Sequence, residues 1–319
     1  MKVGLSLNHS IMRNFLLLGL TIALLGVQEI KAQEHRFDPP WNTPPESALN
    51  FTVPGIDNIP DLYGDIENPQ LTVFFAGNQF MVVDDLLASF KQEYPQYERI
   101  FVETLPPGIL AKQIKVGSIT IGNLRITHKP DIYTASKRAI NEMADYFSHT
   151  QVYCYNNICL MVPKGNPANI STLNDLGNDK VRISMPNPQW EGIGEQIKAS
   201  YRKAGGEQLV KKIMEDKVND GSTYLTKIHH RESPMRVLYG QADAAPVWAS
   251  EVVYQKLIGH PVEGITIPDA QNTTATYVAA KLKNAPHTQA ADDFLKFMDS
   301  PTAKRIYKKY GFTVDSYVS

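Results

Sequence analysis

From Leu71 onward the chain alternates short apolar runs with stretches of helical spacing, and few architectures accept that alternation. "LTVFFAG" (Leu71 to Gly77) is continuously apolar, as in a strand buried on both faces. Phe80, Val83, Leu87 and Phe90 then recur at helical spacing, and "ILAKQIKVG" repeats the pattern in a second short helix. "PDIYTAS" and "ICLMVPK" read as further strands. After "VRISMPNP" a helix runs through "GEQIKASYRKAG" and is ended by glycine; "MRVLYGQ" is a short helix and "AAPVW" a strand. Ala291, Phe294, Leu295 and Met298 share one helix face. Ser300-Pro301 then caps a last helix, with Ala303, Ile306, Tyr307 and Tyr310 on its buried stripe and Gly311 at its exit. The class is α/β, and the alternation predicts mostly parallel sheets covered by helices.

The first residues are set apart. A weakly positive start, the apolar run Phe15 to Val27 and "QEIKAQ" have the form of a secretory signal cut after about Ala32, although an uncleaved anchor has the same start. No cysteine stands near that cut, which argues against a lipid-anchored form. Gln33 to Asn68 carries Pro39, Pro40, Pro44, Pro45, Pro54 and Pro60 without a convincing period, and reads as an extended lead that lies on the body or stays mobile. Cys154 and Cys159 flank "YNNI". If Asn156-Asn157 forms a hairpin turn they become cross-strand partners for a disulfide; otherwise they are two buried thiols. A net charge of -1, with no basic stripe interleaved with aromatics, argues against nucleic acid.

In α/β sheets ligands bind beyond the carboxyl ends of strands, where helices begin. Four such junctions stand out here: Gly77-Asn78-Gln79, Pro106-Pro107-Gly108, Gln189-Trp190-Glu191-Gly192 and Arg231-Glu232-Ser233-Pro234. Each can present backbone N–H groups of a first helical turn to an anion. In the last, Ser233 reads as a helix cap and Pro234 as the first helical residue, while Arg231 offers a planar fork for an oxyanion or carboxylate. Glu232 opposes a bare anion unless it turns away. His229 and His230 invite a metal reading, but adjacent residues point apart and rarely chelate one ion together. His128, His149, His260 and His287 would have to converge from a distance.

The order of these junctions, with "LTVFFAGNQFMVVDDLLASF", "ILAKQIKVG", "PDIYTAS", "CLMVPKGNP" and the ending "FLKFMDSPTAKRIYKKYGFT", resembles the periplasmic molybdate-binding proteins of the type II periplasmic solute-binding family. The likeness runs from about Leu71 to Val314. It implies two hinged lobes closing on a solute that an ABC transporter permease then takes up, with no cofactor and no catalysis. The lobes would be residues 69–152 with 272–319, and 153–271, with crossings near Tyr153 and at Gln271 to Tyr277. Hydroxyls and backbone amides hold the oxyanion in that family. By position, Asn78 stands where one serine would be and Gly108 at or beside a second. Trp190 to Gly192 and Glu232 to Ser233 supply the amides, and Trp248 replaces a tyrosine. The ligand set is therefore Gly77, Asn78, Gln79, Gly108, Trp190, Gly192, Arg231, Ser233 and Trp248. The changed side chains leave molybdate, tungstate, another small oxyanion or a carboxylate open. The segment Ser118 to His128 lies outside the pattern.

No Gly-x-Ser-x-Gly elbow, phosphate loop or His-Glu-x-x-His occurs, so the chain reads as a binder, not an enzyme. It is expected to act as a monomer in the periplasm, delivering a small anionic solute to a permease or to a membrane sensor. A metal binder using His229 and His230, or a sensory accessory protein without a transport role, are the other readings.

Overall fold

The computed structural model describes residues 48–49, 62–121, 124–189, 191–227 and 231–314. The leader, most of the Pro-rich lead, Trp190, His229 and His230 lie outside them.

Along the chain, β1 (Ala48–Leu49) and β2 (Leu62–Gly64) precede β3 (Leu71–Phe74). A 3-10 turn (Gly77–Val82) leads into α1 (Val83–Glu93), followed by β4 (Ile100–Glu103) and α2 (Pro107–Val116). The segment outside the family pattern forms the antiparallel pair β5 (Ile119–Ile121) and β6 (Leu124–Ile126). Then come β7 (Ile132–Ser136), α3 (Lys137–Asn141) and the long β8 (Phe147–Pro163). β9 (Ile183–Met185) feeds α4 (Gly192–Lys211), and β10 (Thr223–Leu225) feeds α5 (Glu232–Leu238). β11 (Ala245–Trp248) and α6 (Ala249–Leu257) precede β12 (Val262–Thr266) and β13 (Thr274–Leu282). α7 (Thr288–Met298) and α8 (Pro301–Lys309) close the chain.

The sheet is mixed, which corrects the expectation of mostly parallel strands. β3 pairs in parallel with β4 and β7, and β9 with β10, as strand–helix–strand crossovers require. β13, however, runs antiparallel to both β7 and β8. β8 is the reason. Its first part, Phe147 to Asn157, pairs with β13, and from Ile158 it pairs with β11 and β12. One strand thus serves two halves of the sheet, changing partners between Asn157 and Ile158. Across that point the Asn272 side chain accepts from the Ile158 N–H at 3.1 Å and donates to the Ile158 carbonyl at 2.8 Å.

The same continuity removes the hairpin turn at Asn156-Asn157. Partners on both flanks satisfy the backbone, so the strand has no reason to fold back. Asn156 is buried and donates to Ser250 Oγ at 2.9 Å. Cys154 and Cys159 are free and buried. An odd separation of five along one strand puts them on opposite faces, roughly 16 Å apart, well beyond disulfide reach.

The tail of the lead joins the sheet. β2 runs antiparallel to β4, with Leu62 and Tyr63 fully buried, so the sheet begins before Pro69. In the last two helices the sequence pattern holds closely. Ser300 accepts from the Ala303 N–H, Pro301 opens α8, and Gly311 leaves it at φ 85° with Val253 2.7 Å from where a Cβ would sit. The ring of Phe90 meets Phe294 at 4.9 Å and Phe297 at 5.4 Å. Burying each such ring stabilises by about 2 kcal/mol, so this cluster fixes α1 against α7. In α4 the helix breaks at Gly205 and Gly206, as expected, before a second helical stretch.

Candidate functional site

The first junction follows β3. The peptide N–H of Ala76 donates to Thr134 Oγ1 at 3.0 Å, and the chain then tightens into the 3-10 turn. Gly77 is required by its neighbour: a Cβ there would stand 3.0 Å from the Thr104 carbonyl oxygen, in the approach to the second junction. Asn78 is 6 % exposed and donates its amide to the Tyr277 hydroxyl at 2.6 Å. Gln79 is fully buried, donating to the Tyr153 hydroxyl and accepting from Tyr307 at 3.1 Å. It builds the floor of the junction. Burial pushes the phenols of Tyr153, Tyr277 and Tyr307 well above their ordinary pKa, so all three stay neutral; Tyr307 donates here, while Tyr153 and Tyr277 accept.

The second junction is backbone. Pro106 precedes α2, Pro107 starts it, and the Pro107 carbonyl accepts from Tyr133 at 2.9 Å. Gly108 is exposed with open space where a side chain would be. At the third, Glu191 precedes α4 and Gly192 opens it, again exposed and uncrowded. The Glu191 carboxylate accepts from the Thr226 hydroxyl, and that hydroxyl accepts from the Asn187 N–H at 3.0 Å. The negative charge at this mouth is thereby turned onto its own side of the sheet.

The fourth junction differs from its sequence reading. α5 begins at Glu232, with Arg231 at the N-cap position, so Ser233 is not the cap. Ser233 is fully buried in the first turn, its hydroxyl accepting from Ser184 Oγ at 3.2 Å. Pro234 fits there because first-turn N–H groups have no intrahelical partner. Glu232 does turn away: its carboxylate accepts from the Tyr224 hydroxyl at 2.9 Å and the Lys227 N–H at 2.9 Å. Arg231, only 2 % exposed, reaches across to the first junction. Its Nη2 donates to the Gly77 carbonyl at 2.7 Å, and its guanidinium lies 4.9 Å over the Phe80 ring.

Trp248 ends β11 and is buried edge-to-face against Tyr277 at 6.3 Å, with its backbone N–H donating to the Glu251 carboxylate at 3.3 Å. Asn78 and Trp248 therefore each contact Tyr277, while Gly108 and Gly192 have open space where a side chain would be. Thr226, Tyr224 and Ser184 were not singled out from sequence, and Tyr277 was named only as the end of a crossing, not as a site residue. The signal for Tyr277 was present, since a tyrosine inside a buried strand needs a partner for its hydroxyl.

Among the described residues no three His, Cys, Asp or Glu side chains gather as metal ligands. His287 is held by Asp131 at 3.0 Å and His128 bonds the Ile66 carbonyl. The residues His229 and His230 lie outside the described set. A shallow cavity of about 480 Å³, lined by Gln70, Tyr97, Arg99 and His287, opens at the amino ends of β3 and β4, the edge away from these junctions. Its polar groups are committed: Gln70 to the backbone of residues 96–99, Arg99 to the Asn68 carbonyl and Tyr97 to Asp293.

The α/β fold is that of the two-lobed periplasmic binding proteins. The sequence profile described as bacterial extracellular solute-binding protein matches residues 71–313, and the chain belongs to that family. It is similar to the molybdate-binding protein ModA of Escherichia coli K12, at 23% identity over 276 residues, covering 84% of this chain and 95% of that one. YvgL of Bacillus subtilis 168, named as a candidate ABC transporter substrate-binding lipoprotein, is 25% identical over 163 residues. That match covers 50% of this chain but only 56% of YvgL. Among solved structures, the sulfate-binding protein SubI of Mycobacterium tuberculosis H37Rv shares the fold at TM-score 0.62 and 18% identity, covering 77% of this chain and 86% of that one.

Proposed function

We propose that the protein captures a small oxyanion, molybdate- or tungstate-like, or a small carboxylate between the two halves of its sheet and presents it to an ABC permease on the outer side of the membrane. The observation that carries this is the charge arrangement. Glu191 and Glu232, the acids of two junctions, are both turned onto local donors, while Arg231 lies beneath the first. An anion arriving here meets backbone and amide groups, with Arg231 behind the first junction and the Glu251 carboxylate turned onto the Trp248 backbone N–H. Asn78 and the backbone at Gly108 and Gly192 would replace its water shell, with Trp248 as a wall. The names of ModA and SubI, relatives that bind molybdate and sulfate, support a tetrahedral dianion as the first probe. The partner change in β8 at Asn157–Ile158, and the return through Asn272, are the hinge positions consistent with closure.

A thermal-shift panel with molybdate, tungstate, sulfate, phosphate, small carboxylates and divalent metals tests this, each with and without chelator. A ligand at 100 times its Kd adds about 2.7 kcal/mol, enough to raise Tm by several degrees. A shift with oxyanions or carboxylates is expected. A shift confined to metals and abolished by chelator would return the site to His229 and His230.

A further inference from the structure

We infer that Arg231 is a positioning residue of the anion site. It orients the first junction's peptide and ties ligand capture to closure of the sheet halves, rather than contacting the solute itself. The inference rests on the oxyanion or carboxylate reading above. Arg231 stands at the start of α5, after the two-stranded β9–β10 sheet that is bridged to the β11 side at Ile183 and Ala244, yet its Nη2 meets the Gly77 carbonyl beyond the end of β3. In a trans peptide the C=O and the next N–H point in opposite directions. Holding the Gly77 carbonyl toward Arg231 therefore turns the Asn78 N–H the other way, toward the junction mouth. A charged donor on the carbonyl also polarises that peptide and strengthens its N–H as a donor.

The contact does not stand alone. Phe80, three residues further along the same turn, is clasped from the opposing half on two sides. The Arg231 guanidinium lies 4.9 Å from its ring centre, and Tyr254 of α6 meets it edge-on at 5.2 Å. The hydrogen bond and the clasp both break if the halves separate. Arg231 as a residue is 2 % exposed, and the Gly77 carbonyl is the route by which its Nη2 bears on the Asn78 N–H.

The full chain and three variants, Arg231→Met, Arg231→Lys and Phe80→Leu, would be titrated with molybdate, sulfate and phosphate by calorimetry. Their radii of gyration without ligand would be read by small-angle scattering. Arg231→Met and Phe80→Leu are expected to weaken every anion the parent binds by a common factor of about ten, the equivalent of one charge-assisted hydrogen bond. The order of preference among anions should not change, the unliganded radius should grow, and Arg231→Lys should recover part of both. Loss of one anion with another spared would overturn the inference, because it would put the guanidinium on the solute. So would an unchanged radius in Arg231→Met. If Arg231→Met fails to fold, Phe80→Leu carries the same comparison. If the parent binds none of the three anions, the oxyanion part of the functional proposal fails on its own, and the scattering of parent against variant still decides whether the contact holds the halves together.

Discussion

Asn78 and Tyr277 are 199 residues apart in sequence and joined by a 2.6 Å hydrogen bond, amide to phenol, under the first helix mouth. Tyr277 lies on β13, between β7 and the first part of β8, and also packs edge-to-face against Trp248. The first mouth and the end of β11 thus share one buried phenol. Changing Asn78 to Ala leaves that hydroxyl without its donor, at a cost of about 1–3 kcal/mol. Anion affinity should fall with it, while Asn78→Ser, the hydroxyl of the molybdate-binding pattern, should retain more. Urea denaturation and calorimetry on the two variants check this.

At the crossing point, Asn272 forms both hydrogen bonds to the Ile158 backbone. No other side chain can copy that pairing with one donor and one acceptor at the same reach. Asn272→Asp loses the donor and sets a carboxylate oxygen against the Ile158 carbonyl; it is expected to cost about 2–4 kcal/mol. A change in denaturation midpoint below 1 kcal/mol would show that the crossing is held elsewhere.

Thiol chemistry gives a further check. Cys154 is fully buried and burial pushes the Cys159 thiol up to about 12. Neither should react with a thiol reagent in the folded protein at neutral pH, and both should react after denaturation without reductant. One equivalent of disulfide would contradict the continuous strand.

Hydrogen bonds from the Ser171 N–H, and from the Thr172 N–H and hydroxyl, hold the Asp175 carboxyl below its ordinary value of 3.8. A depressed folded pKa contributes stability that is present above the unfolded value and disappears as pH falls through the folded one. Asp175→Asn should therefore cost about 1 kcal/mol at pH 7, and the gap from the parent should narrow below about pH 4. An equal gap at pH 7 and pH 3 would contradict this.

Local pattern was enough for the strand–helix succession from Leu71, the capped last helix and the glycine exit at Gly311, because each is decided by a few neighbouring residues. The mixed sheet was not legible. Whether β13 runs with or against β7 is settled by the partner change in β8, and nothing near Asn157 marks it. "YNNI" carries turn residues, but two flanking strands outweigh a local preference worth a few tenths of a kcal/mol. In the site, the junctions stood where the strand ends put them. The roles of Gln79, Ser233 and Arg231 turned on buried partners far away in sequence: Tyr153 and Tyr307, Ser184, and Gly77. Spacing does not encode such pairs.

The central claim is the proposal that this chain binds a small anion at its helix-mouth junctions, with Asn78 and the backbone at Gly108 and Gly192 as the donors. Isothermal titration calorimetry with molybdate and sulfate, in a buffer free of phosphate and carboxylate, tests it most directly, with small carboxylates titrated next. The account predicts saturable binding of at least one of these anions at one per chain, weakened by Asn78→Ala. No heat with any of them, alongside stoichiometric chelator-sensitive binding of a divalent metal, would contradict it.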